Sequence, residues 1–407
     1  MEKFQEWMDG CNAKYPDVTL ESHDGMGFGA KLATKRNADD FIIQVPQNIL
    51  FSSFNAFQDE VIGSKLFNFC KSKVDSGMDK LFLNRFSVYC FLVLQRNLGE
   101  NSYWVHYLRL LPEWKEFKQN VLNCLDEDIA KRLLMGTHLQ TLYEKQKSHT
   151  ALVFEMANEF CHMFSDGPIH FSEKDLSWAI ACFWSRALVV PSRDGLNELA
   201  QSCEAMVPLI DLLNHSPGTL SRFNIQDDCI TLSYQTSIEE NSVLYLNYGA
   251  RSNGDLLAYF GFTFPNNPAD TVHVVTPDNV HHILFYDGIF PPQLLDSVRL
   301  LMPTSQENTS PVYKLKSDGM DWREKLLTFQ ELDIDFSNIG AVIDRHNEAE
   351  TLKHLENILM DQCDRMHELM KCKDTPLYEN ITCYCNGQLR ILSYFKNLIL
   401  KMQSELY

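Results

Sequence analysis

The sequence predicts an α+β protein in which two strand-rich segments flank a helical block and long helices close the chain. Three patterns lead there. Runs of β-branched and aromatic residues occupy residues 20–52 and return at 229–276. Between them apolar residues recur at helical spacing, and after residue 277 proline punctuation gives way to long amphipathic stretches. A chain of 407 residues exceeds the size at which one core usually keeps growing, so two domains, or one with a large insertion, are expected.

Residues 25–33 and 41–46, separated by a polar turn at 35–40, read as a hairpin. Leu81, Arg85, Val88, Phe91, Leu92 and Gln95 share a helical face, as do Trp178, Ala181, Cys182, Ser185 and Leu188. Strand signals resume at 229–234, 243–247 and 272–275. Leu352, Leu355, Leu359, Cys363, Met366 and Met370 mark a long amphipathic helix, and Leu389, Leu392, Phe395 and Ile399 mark a second. The resulting segments are 1–52, 53–200, 201–276 and 277–407. No internal repeat or low-complexity tract is seen.

Composition narrows the function. With 45% hydrophobic and 22% charged residues the chain is that of an ordinary globular protein, and no apolar run reaches the roughly 18 residues of a membrane helix, so no membrane role is expected. The first residues, Met1-Glu2-Lys3-Phe4-Gln5-Glu6-Trp7, lack the features of a signal or transit peptide, which predicts a cytoplasmic or nuclear protein, expected to be monomeric. Twelve scattered cysteines then read as free thiols, and the three Asn-X-Ser/Thr matches as coincidence. A net charge of -18 argues against nucleic acid; it favours a basic partner, or simply solubility.

Several motifs weigh little alone. Gly25, Gly27 and Gly29 precede a strand, not a helix, so they offer no phosphate a helix N-terminus. Cys363, Cys372, Cys383 and Cys385 lack a CxxC pair and read as buried thiols, not a zinc site. Cys161-His162 and His281-His282 read the same way. A hydrolase triad around His215 lacks a GxSxG elbow. Arg186, beside an apolar helix face, needs an acidic partner or ligand unless its head is solvated.

More informative is Asn214-His215-Ser216, which ends the apolar stretch Val207-Pro208-Leu209-Ile210-Asp211-Leu212-Leu213 and is followed 34 residues later by Tyr248-Gly249. These polar side chains emerge where a packed core wants none. Together with Gly27-Phe28-Gly29, Trp178-Ala179, Ser185-Arg186-Ala187, Ser252-Asn253, Gly261-Phe262 and the insertion residues Tyr103-Trp104, Tyr107-Leu108 and Leu111-Pro112, they keep a recognisable order and spacing. The chain resembles the SET-domain protein methyltransferases of the Rubisco large-subunit methyltransferase and actin-histidine methyltransferase group.

That resemblance implies a SET β-fold with a pseudoknot, interrupted by a helical insertion and followed by an all-α substrate-binding domain. It implies S-adenosylmethionine held by Met26, Gly27, Phe28, Arg186, Asp211, Leu212, Leu213, Asn214, His215, Tyr248, Phe260, Gly261 and Phe262, with no metal. Tyr248 is the implied catalytic residue, aligning the acceptor nitrogen of a protein substrate with the methyl donor. Leu188 and Ile210 stand where the histidine-methylating relative has Asn and Trp; with Leu246 and Tyr248 they suggest an apolar path suited to a lysine stem, so a lysine acceptor in a basic or Lys-containing segment is expected. Phe260 replaces a Tyr, which predicts tolerance of di- or trimethylation. Asn241 replaces a turn Gly, a mild change because Asn tolerates left-handed geometry. A histidine acceptor and a non-catalytic protein-binding adaptor are the alternatives.

Overall fold

The computed structural model describes residues 1–23, 27–164, 171–191, 203–276, 281–302 and 344–406. The chain forms two compact units: residues 1–125, 143–250 and 259–261 make the first; residues 126–142, 251–258 and 262–407 make the second.

Among the described residues the strands are β1 (Val18–His23), β2 (Gly27–Leu32), β3 (Phe41–Pro46), β4 (Leu188–Val190), β5 (Cys203–Ala205), β6 (Asn214–His215), β7 (Ser221–Gln226), β8 (Cys229–Tyr234), β9 (Ser242–Leu246), β10 (Thr271–Val275) and β11 (His281–Phe285). The α-helices among these residues are α1 (Glu2–Gly10), α2 (Ser53–Gln58), α3 (Gly63–Asp75), α4 (Lys80–Asn97), α5 (Val105–Leu108), α6 (Trp114–Asn120), α7 (Glu127–Leu134), α8 (His138–Cys161), α9 (Glu173–Arg186), α10 (Asn253–Asp255), α11 (Pro292–Arg299), α12 (Arg345–Leu369) and α13 (Tyr378–Leu406).

In the first unit, β1-β2-β9-β6 form one sheet, β3-β8-β7 a second, and β4-β5 a short ladder. The expected hairpin of residues 25–33 with 41–46 does not form. β2 pairs with β1, and β3 pairs with β8, with Val45 opposite Ile230. The polar turn carries the chain from one sheet to the other because both strands bury apolar side chains that cross-strand partners from the C-terminal half cover better. Asn241 has φ +61 and its N–H donates to Leu32 O at 2.7 Å, so an Asn does accept the left-handed turn before β9.

The helical insertion packs directly on these sheets. Asp79 caps α4 by accepting from Phe82 N at 2.7 Å. Phe86, Tyr89, Phe91 and Leu92 of α4 are buried with Trp178, Ile180 and Phe183 of α9. Ser172 caps α9, and Glu173 and Asp175 suit the positive end of its dipole. At the other end Ala187 turns extended and Val189-Val190 favours strand, so Arg186 is the last helical residue.

In the second unit, α12 buries Leu352, Leu355, Leu359, Cys363 and Met366 as expected from spacing, but Met370 is the half-buried C-cap and Leu369 is buried in its place. α13 buries Ile381, Tyr384, Ile391, Leu392, Phe395 and Ile399, while Leu389 is only half-buried. The region after residue 276 is not helical throughout: His281–Phe285 is a strand paired with β10, Val274 opposite His282. Gln388 of α13 donates to Thr271 O at 2.7 Å, tying helix to hairpin. A Cβ on Gly387 would meet Asp270 Oδ2 at 2.2 Å, so only glycine fits there. No helix among the described residues is long and apolar enough to cross a membrane.

Candidate active site

The site is built where β6 lies parallel to β9. Asn214 pairs with Tyr245 and His215 with Leu246, while residues 242–244 of β9 pair with β2. One strand therefore touches both the N-terminal and the Asn-His segments. Asn214 Nδ2 completes the link by donating to Phe28 O at 3.2 Å. Gly27, at φ +73 with open space where a Cβ would point, starts β2 beside it.

The approach to Asn214 is a strained turn. Leu209, fully buried, has φ +78 and ψ -49, a region a branched residue occupies at a cost of about 1–3 kcal/mol. The 3-10 turn Ile210–Leu212 that follows aims Asp211 inward. Asp211 is 5% exposed, and its carboxyl accepts a hydrogen bond from the Tyr107 hydroxyl of α5. Burial pushes Asp211 up to about 7, against the pull of Arg186 and of the Tyr107 hydrogen bond. Burial, then the Asp211 charge, drives the Tyr107 phenol well above its usual range. Arg186 Nη1 donates to Asp211 O at 3.1 Å, and its buried Nε has no acceptor among the described residues.

Tyr248 sits in a stack of rings. His215 lies 5.0 Å from it at 27°, and Phe260 lies 5.0 Å from it at 26°. Its hydroxyl donates to Leu213 O at 2.8 Å, and its N–H donates to His215 Nδ1 at 3.1 Å. The latter bond makes His215 Nδ1 an acceptor, and burial lowers the imidazole pKa against the Leu246 backbone bond, so the ring is neutral. Burial also pushes the Tyr248 phenol up to about 12. Next to Phe260, Gly261 has φ +80, and a Cβ there would lie 3.0 Å from Asn120 O and from Val121 Cγ2. Glycine at this point lets the Phe260 segment settle on the insertion.

Of the residues singled out from sequence, Gly27, Phe28, Arg186, Asp211, Leu212, Leu213, Asn214, His215, Tyr248, Phe260 and Gly261 all fall in the first unit. Met26 lies outside the described residues, and Phe262 packs with the second unit. Leu188 is half-buried on β4. Ile210 and Leu246, expected along an apolar path to Tyr248, are 0% and 1% exposed. Both fill the core instead of facing an open channel, because the strained turn and the β9 pleat point them inward. Sequence reading missed the role of Tyr107: its motif was noticed, but nothing in the spacing couples it to a carboxyl 104 residues away.

The fold is that of a SET domain. The chain superimposes on the SET domain of LSMT bound to methyllysine and AdoHcy with a TM-score of 0.71 and 18% identity, covering 100% of this chain and 92% of that one. Rubisco LSMT bound to AdoMet gives 0.70 and 19% over the same shares. Among curated proteins it is similar to the actin-histidine N-methyltransferases of Gallus gallus, 22% identical over 284 residues, Mus musculus, 24% over 279, and Homo sapiens, 23% over 284. Each alignment takes in 66% of this chain, and the chain spans 43% of the length of these relatives. No family model matches the chain.

Proposed function

We propose that the protein is an S-adenosylmethionine-dependent protein methyltransferase. The observation that carries this is the meeting of three distant segments at one point: the β2 backbone at Phe28, the Asn214 amide, and the Tyr248 hydroxyl on Leu213 O. Similarity to proteins named as histidine methyltransferases, and a fold shared with structures holding AdoMet or AdoHcy, support the same reading.

The residues present suit the cofactor. Arg186 Nε, enclosed and without an acceptor among the described residues, is what a site for a carboxylate ligand requires. Gly27, Phe28 and the Asn214-His215 backbone offer groups for an ammonium and an adenine, and the aromatic Phe28 and Phe260 offer faces. When bound, S-adenosylmethionine supplies an electrophilic methyl group on a sulfonium.

Tyr248 orients the acceptor. At neutral pH its phenol is un-ionised, and with its proton committed to Leu213 O its oxygen acts as an acceptor toward an amine N–H or a polarised C–H. Neutral His215 and Phe260 hold the ring in place without adding charge. A lysine acceptor must shed a proton it normally holds to about pH 10.4, and desolvation between aromatic rings favours that loss.

We take lysine as the acceptor. Phe260 and Leu188, both apolar and half-buried in the same unit as Tyr248, support it; Ile210 no longer does. The names of the curated relatives favour histidine as the second reading. The protein substrate carries the basic segment that the net charge of -18 would attract. Isothermal titration with S-adenosylmethionine tests the activity class: no heat and no thermal shift would sink it. Incubation with methyl-labelled cofactor and a lysate from cells lacking the protein, followed by hydrolysis, tests the acceptor. Methyl-lysine is expected, and methylhistidine alone overturns the lysine assignment.

A further inference from the structure

The five-residue π-helical turn Leu256–Phe260 presents two adjacent rings to different partners. Phe260 lies on Tyr248, and Tyr259 lies on Trp184 at 5.2 Å and 34°. A π-helical turn, closed by i→i+5 backbone bonds, is wide and spaces its side chains differently from an α-helix, so neighbouring rings can be aimed at separate partners. On the far side of Phe260 the holding is done by Gly261, pressed against the backbone at Asn120.

On the near side the holding falls to Trp184, two residues before Arg186 on α9. Its own surroundings are rigid. The Arg85 guanidinium lies 4.5 Å from the indole centroid, within cation–π range. Arg85 is clamped by Glu204 through two parallel bonds, Nε to Oε2 at 2.6 Å and Nη2 to Oε1 at 2.8 Å, with both side chains only 19% exposed. His149 meets the indole edge-on at 5.9 Å and is itself bonded to the Tyr89 hydroxyl at 3.2 Å. The methyl-transfer chemistry uses none of these groups.

We propose that Trp184 is a positioning residue for the acceptor end of the site: through Tyr259 it fixes Phe260 against Tyr248. The space beside the acceptor nitrogen, and hence the number of methyl groups accepted, then depends on Trp184. This rests on the reading that Tyr248 and Phe260 flank the acceptor.

The test uses the full chain with Trp184→Leu and Trp184→Phe. In protein labelled with 13C at tyrosine Cζ, the Tyr248 resonance, assigned by its loss in Tyr248→Phe, should shift and broaden in Trp184→Leu and return in Trp184→Phe. S-adenosylmethionine affinity should stay within about twofold, because a positioning residue at the acceptor end leaves cofactor contacts intact. Methyl transfer from that cofactor to lysate protein should slow roughly tenfold, the scale on which small misplacements cost rate, and the ratio of mono- to higher-methylated product should change. An unmoved Tyr248 resonance and unchanged product ratio, with only a lower Tm, overturn the proposal and make Trp184 a core residue. Loss of cofactor binding in Trp184→Leu alone also overturns it, by placing Trp184 at the cofactor end. Absent cofactor heat in the unsubstituted protein instead overturns the functional reading, while the resonance still decides the packing claim. Should Trp184→Leu not fold, Tyr259→Leu should give the same shift.

Discussion

Asp211→Asn gives the sharpest test of the buried cluster beneath the site. Asp211 is held at about 7 in the folded protein, against a usual 3.8, because burial outweighs the pull of Arg186 and Tyr107. A folded-state value above the unfolded one means the folded protein binds more protons over that window. The stability contributed by the protonated form is fully present below about pH 4 and is lost as pH rises towards 7. The gap corresponds to on the order of 4 kcal/mol in total, or about 1.4 kcal/mol per pH unit. Asparagine cannot ionise, so the stability of Asp211→Asn relative to the unsubstituted protein should climb by about 2 kcal/mol between pH 5.5 and 7.5, flattening above 7. Urea unfolding of both proteins at matched pH measures this. His149, lowered to about 4 by burial and then by Arg85, titrates in the opposite sense in both proteins and cancels in the difference. Tyr107→Phe, which removes a bond that lowers Asp211, should carry the slope to higher pH. Parallel curves for Asp211→Asn and the unsubstituted protein across pH 5.5–7.5 would refute the reasoning.

Four further outcomes are expected. Tyr248→Phe should keep S-adenosylmethionine affinity by titration but lose methyl transfer by about 100-fold, the cost of misaligning a reacting pair. Phe260→Tyr should move the product towards monomethylation by mass spectrometry, since an added hydroxyl can hold the acceptor in one orientation. Gly387→Ala should lower the unfolding free energy by about 1–3 kcal/mol, because its methyl group collides with the Asp270 carboxylate that Asn253 holds at 2.7 and 3.0 Å. Glu348→Ala should cost about 3–5 kcal/mol in the same assay, leaving Arg299, 4% exposed, without its two-point partner.

Much of this site was legible in the sequence because its residues break local rules. Asn214, His215 and Tyr248 are polar groups attached to apolar runs, and the structure gathers them within hydrogen-bond or stacking distance. The long amphipathic helices were legible for the opposite reason: their apolar spacing obeys one period for many turns. What stayed hidden was pairing. β2 and β3 are each good strands with a good turn between them, and only partners 183 to 214 residues away decide that they enter different sheets. β6 is two residues long and has no propensity to detect, although the whole site depends on it. Tyr107, buried, and Trp184, half-buried, carry no sign in the sequence of Asp211 and Tyr259, which lie against them.

Those hidden pairings also decide which residues can choose the acceptor. A side chain distinguishes a lysine stem from an imidazole only if the incoming group can touch it. Ile210 and Leu246 are sealed in the core, so the substitution of Ile210 for a flat aromatic changes packing behind the turn before it changes recognition. On the proposed reading, Phe260 and His215, half-buried and in ring contact with Tyr248, lie beside the incoming nitrogen. Both are neutral and planar, and neither offers a carboxylate to pair with a charged amine, so on that reading the acceptor arrives unprotonated. A lysine gives up more free energy to meet that demand than a histidine, whose ordinary pKa is near 6.5. Methyl transfer limited by lysine deprotonation should therefore rise about tenfold per pH unit from 7 to 9, while transfer to histidine should be nearly flat over the same range. That slope reads out the acceptor even before its position in a substrate is known.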